Sequence, residues 1–168
     1  MKAALKFLAF CIVAVVVMAM VGAGLPQQHI LTRRKSFAAP PERVWSALLS
    51  IRQLPVDRSD LRAVDQGVGT APPSAIEVVG TPVTIIFETF RPPRTLVVRT
   101  AEPDIAYGGT WTFELELETA QITKLTVTEE AAVRGRLLRF AVRTFGLDDA
   151  LIEGVFRAVK RKLVETPN

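Results

Sequence analysis

The chain has one cysteine, Cys11, and one histidine, His29, in 168 residues. Both lie near the N-terminus, so everything after Ile30 is free of the two side chains that do most polar chemistry near neutral pH. Their absence there excludes a Ser–His–Asp relay. It also removes thiol nucleophiles and most zinc or haem ligation. A thiol-free domain suits an oxidising compartment. No glycine-rich phosphate cradle is present: Gly67-Val68-Gly69 is too short and runs into Pro72-Pro73 rather than a helix. Acidic residues are missing from the first 23 positions, which hold only Lys2 and Lys6. The remainder carries 19 basic against 17 acidic residues, too balanced for a nucleic-acid partner. No internal repeat or low-complexity tract occurs, and neither cofactor nor metal is expected.

The strongest positive feature is a 17-residue uncharged apolar run, Phe7–Ala23. As a helix it spans about 26 Å, close to a hydrocarbon core of about 27–30 Å. Nine of its residues are Leu, Ile, Val or Phe, worth roughly −3 to −5 kcal/mol on the insertion scale. A membrane anchor over residues 1–25 is expected, contacting the bilayer through residues 7–23. A cleaved signal is the alternative, because Val21-Gly22-Ala23 offers small residues to a peptidase, although signal cores usually run about 7–15 residues. Phe10 before Cys11 is too large for a lipoprotein signal. Lys2 and Lys6 favour a cytoplasmic N-terminus and an exported domain, while Arg33, Arg34 and Lys35 pull the other way.

Residues 26–30 read as a linker, 31–164 as one domain and 165–168 as a tail. Ile30 to Phe37 is extended in pattern, and Ala39-Pro40-Pro41-Glu42 opens a helix, with proline in the first turn and an acid at the positive end. Val44, Trp45, Leu48 and Leu49 form its apolar face. Six strands follow: Leu61–Gln66, Ser74–Gly80, Pro82–Arg91, Thr95–Ala101, Thr110–Thr119 and Thr123–Val133. Each is bounded by Gly or Pro signals. In Trp111–Glu118, Trp111, Phe113, Leu115 and Leu117 alternate with Thr112, Glu114, Glu116 and Glu118, predicting one buried and one wet face. A helical stretch from Arg136 to Phe145 stops at Gly146. The last helix, Asp148–Val164, has Leu151, Ile152, Val155, Phe156, Val159 and Leu163 on one stripe, with acids early and bases late.

Strand, helix, antiparallel meander and long C-terminal helix is the order of an α+β helix-grip fold, a curved sheet wrapped on that last helix. Phe37-Ala-Ala-Pro-Pro-Glu-Arg-Val-Trp45 resembles the opening motif of the polyketide cyclase/dehydrase and lipid-transport superfamily, also called START-like, Bet v 1-like or SRPBCC. Pro93–Thr100, Gly108–Glu114, Leu125–Glu130 and Leu137–Gly146 resemble its later strands and the approach to its final helix. The resemblance covers residues 31–164. One departure is that Leu54-Pro55 leads to Val56-Asp57, where members often carry Trp.

The resemblance implies a space between sheet and last helix that holds sterols, lipids, polyketides or other apolar molecules. Trp111, Phe113, Tyr107, Phe87 and Phe156 are the candidates to line it; otherwise they fill a dry core. Glu129 shares strand parity with Leu125, Val127, Ala131 and Val133 and so should point inward. Desolvation there favours its neutral form, a way to make an acid or base. Arg136, Arg139 and Arg143 recur at helical spacing, fitting either a solvated helix or a contact with anionic lipid. Three functions follow. The first is a membrane-tethered, non-catalytic binding or transfer module for an apolar small molecule or lipid. The others are a cyclase or dehydratase using Glu129 or Tyr107, and a structural subunit of an envelope complex.

Overall fold

The computed structural model describes residues 2–51, 61–62, 75–78, 84–101 and 107–165. In chain order these form α1 (Lys2–Gly24), β1 (Gln28–Phe37), α2 (Pro41–Leu49), β2 (Leu61–Arg62), β3 (Ala75–Val78) and β4 (Thr84–Arg91). Then come β5 (Thr95–Thr100), β6 (Tyr107–Thr119), β7 (Ile122–Val133), α3 (Arg136–Phe145) and α4 (Leu147–Glu165). The strands make one antiparallel sheet in the order β1-β7-β6-β5-β4-β3-β2. From β2 to β7 it is a meander. β1 completes it at the β7 edge, and α2 and α4 pack together over the sheet's inward face.

Local chemistry explains the elements. Pro41 occupies the first turn of α2 beside Glu42, and Val44, Trp45, Ala47 and Leu48 form its buried face. Glu114, Glu116 and Glu118 of β6 are exposed, while Trp111, Phe113 and Leu115 between them are buried. β7 repeats the pattern with Leu125, Val127, Glu129, Ala131 and Val133, all at most 3% exposed. α4 closes the core with Ile152, Val155, Phe156 and Val159, and Phe156 meets Phe37 of β1 at 6.3 Å between ring centroids. Each such apolar side chain contributes roughly 1.5–3 kcal/mol on burial. Two polar ties hold the layers in register. Thr123 donates from Oγ1 to the Ala39 carbonyl (2.7 Å), and Arg43 of α2 donates to the Leu163 carbonyl of α4 (3.2 Å). Between α3 and α4 the chain reverses at Gly146, whose φ of 60° lies in the left-handed region.

α1 has a mean hydropathy of 2.7 in its most apolar stretch. It is long and apolar enough to cross a membrane, a test that an N-terminal signal sequence also passes. Near its end it packs on α3. Gly22 makes that approach possible, because a Cβ there would overlap the Arg136 carbonyl. Arg139 of α3, 5% exposed, donates from Nη1 to the Leu25 carbonyl just past the end of α1 (3.2 Å). That cation satisfies an acceptor at the negative end of the helix dipole.

Several details differ from the sequence expectation. β1 starts at Gln28, so the linker expected over 26–30 shrinks and His29 belongs to the folded unit. Pairing with Ala131 and Ala132 of β7 extends the strand beyond what its own polar residues suggest. β6 begins at Tyr107, ahead of the expected Thr110. Leu117 is 55% exposed rather than buried: although it pairs in register with Thr123, it lies near the β6–β7 turn, beyond Leu115, the last buried apolar residue of β6. The expected strands Leu61–Gln66, Ser74–Gly80 and Pro82–Arg91 coincide with β2, β3 and β4 where described. Their remaining positions, with Gly67–Gly69 and Leu54–Asp57, lie outside the described residues.

Candidate functional site

The inward face of the sheet beneath α4 brings together four of the six residues singled out from sequence. Trp111 (4% exposed) and Phe113 (0%) lie along β6, 6.2 Å apart between ring centroids. Phe156 of α4 is 1% exposed and Glu129 of β7 is 0% exposed. Strand register sets the arrangement: Glu129 stands opposite Trp111 on one side and Leu31 on the other, and Phe113 stands opposite Val127. Tyr107 opens β6 opposite Val133, and Phe87 lies on β4 opposite Val98. The side chains of Tyr107 and Phe87 are outside the described set.

Glu129 is therefore an acid embedded among aromatic and aliphatic groups. Taking a carboxylate out of water costs several kcal/mol unless its surroundings compensate. An acid held at this place suits recognition of one polar group on an otherwise apolar molecule, or proton transfer to it.

A second polar cluster was not foreseen. His29, in the expected linker, is in β1 with its side chain only 6% exposed, and its Nε2 lies 3.0 Å from Asp148 Oδ2 at the start of α4. Arg143 Nη1 of α3 approaches the same oxygen at 3.8 Å. Burial holds the His29 pKa below its ordinary value, the neighbouring Arg143 cation lowers it further, and Asp148 opposes both. His29 is thus neutral at pH 7, and the domain does retain a histidine. His29 pairs with Ala131, two positions from Glu129 on β7. The two occupy the same face as diagonal neighbours, with Cα atoms about 7–8 Å apart in such geometry. The missed signal was the alternation His29, Leu31 against Gln28, Ile30, Thr32, which matches the burial of β1. Among the described residues no group of three or more His, Cys, Asp or Glu is placed to hold a metal ion.

A curved antiparallel sheet gripping a long C-terminal helix, its inward face lined by aromatics, defines the helix-grip class. The chain belongs to the polyketide cyclase / dehydrase and lipid transport family, whose model matches residues 28–165. Solved structures agree in fold. A conserved protein from Geobacillus kaustophilus superposes with a TM-score of 0.61 at 15% identity, covering 82% of this chain and 96% of that one. Norcoclaurine synthase from Thalictrum flavum, solved with dopamine and hydroxybenzaldehyde, gives 0.56 at 12% identity over 84% and 89%. The Zhui aromatase/cyclase from Streptomyces sp. R1128 gives 0.50 at 15% over 81% and 96%. Among curated proteins, no sequence matches.

Proposed function

We propose that the protein is a membrane-tethered module that binds or transfers an apolar small molecule or lipid, held between the sheet and α4. The observation that carries this is the inward face itself. Trp111, Phe113 and Phe156 are buried on it together with an acid, Glu129, in a family described by lipid transport and polyketide chemistry. α1 supplies the tether, and Lys2 and Lys6 favour an exported domain. Tethering lets a weak binder work, because it keeps the domain at high effective concentration beside the bilayer. A fatty acid bearing a photoreactive diazirine tests the reading on the full chain in vesicles. It should label the peptides holding Trp111–Leu115 and Ile152–Phe156 and be competed away by lipid extract. Labelling confined to residues 2–24 would mean bilayer partition alone and would overturn it.

The burial of Glu129, with His29 diagonal to it, favours a second reading, an acid–base enzyme of cyclase or dehydratase type. Its requirement is a carboxyl that exchanges its proton in the working range. Carbon NMR of the labelled Glu129 carboxyl decides: titration between about pH 5 and 8 keeps this reading, and a group ionised throughout that range removes it.

A further inference from the structure

The stretch 131–147 contains four arginines and no acid. Within it α3 carries an apolar sector that no described element covers. Leu137 is 47% exposed and Phe145 69%, and Leu147, just past Gly146, is 43%. At about 100° per residue, Leu137 and Phe145 lie about 80° apart around the axis, and Phe140 lies about 60° to the other side of Leu137. Phe140 is the side chain whose Cβ approaches Gly22 of α1. The sector therefore begins at the apolar helix α1 and runs outward through Leu137 and Ala141 to Phe145, with exposed Thr144 the one polar side chain of α3 inside it. On the opposite side of α3, Arg139 is fixed to the Leu25 carbonyl and Arg143 sits beside Asp148, while exposed Arg136, at the first residue of the helix, lies about 100° from Leu137.

We propose that α3 docks on the surface of the bilayer that α1 enters, with Leu137 and Phe145 in the headgroup–acyl boundary and Arg136 on anionic lipid phosphate. The occupant is a phospholipid surface for two reasons. The exposed sector adjoins the apolar helix α1, and Arg136, an exposed cation at the flank of Leu137, is of the sign that anionic lipid attracts. Docking fixes the orientation of the sheet–helix domain against the membrane, because α3 is held at both ends, by α1 and by α4. This rests on the tether proposed above.

The test uses the full chain with Cys11→Ala, carrying Phe145→Cys or, as a control on the wet face of β6, Glu116→Cys. Each is labelled with an environment-sensitive fluorophore and reconstituted into phosphatidylcholine vesicles with or without phosphatidylglycerol. The label at 145 should shift to the blue and be quenched several-fold more than the label at 116 by lipids spin-labelled near the headgroup. Phosphatidylglycerol should deepen the quenching, and Arg136→Gln or high salt should reverse that increment. Equal, weak quenching at both sites, in chains that remain with the vesicles after alkaline wash, overturns docking while leaving the tether intact. Protection at 145 through cross-linking to a second copy also overturns it. Chains released by the wash would instead remove the tether, and docking with it.

Discussion

Protonating His29 puts a second cation beside Arg143 where only 6% of the histidine side chain meets water. Its folded pKa lies below the unfolded value near 6.5, so neutral His29 is favoured in the native state. The stability this provides is complete above about pH 6.5. It is lost as the pH falls through that value towards the lower folded pKa, because the unfolded chain then binds the proton more readily. Thermal melts from pH 8 to 5 should show Tm falling below that point in the native chain, and His29→Gln should flatten the fall. A native curve as flat as the variant's would remove His29 from the account. At this scale the sequence was partly legible. The inward parity of Glu129 could be read because β7 alternates cleanly. The partner of His29 could not, since Asp148 and Arg143 lie more than a hundred positions away and no local pattern encodes the meeting.

At the scale of elements, strict alternation in β6 and β7 and the stripe on α4 made those units readable. Those residues answer to a single buried face. Ends were less readable: β1 is lengthened by its ladder with β7, and Leu117 is exposed near the β6–β7 turn, past the last buried apolar residue of β6. The packing of α3 on α1 joins residues 114 apart in sequence, Arg139 and Leu25, and depends on the missing side chain of Gly22. Gly146 is the hinge of this arrangement, since its left-handed backbone lets α3 turn into α4. Gly146→Ala should cost about 1–2 kcal/mol through that conformation, measured by denaturant unfolding, with secondary structure unchanged. Nothing lies within 4 Å of the position a Cβ would take there, so an unaltered midpoint would show that the backbone, and not packing, had been misjudged.

The whole molecule joins an apolar helix to a family domain whose aromatic face is buried between the sheet and α4. Its family was legible because the order of elements and the opening motif around Pro40, Pro41 and Trp45 survive in the sequence. Ligand identity was not, since burial of Trp111, Phe113 and Phe156 follows equally from a filled core. The most direct measurement is native mass spectrometry of the full chain released from a detergent free of phospholipid. The account predicts one apolar molecule bound per chain, displaced when Phe113 and Phe156 are exchanged for polar residues in variants that still fold. A chain that flies bare under conditions that preserve other lipid-bound proteins would contradict it.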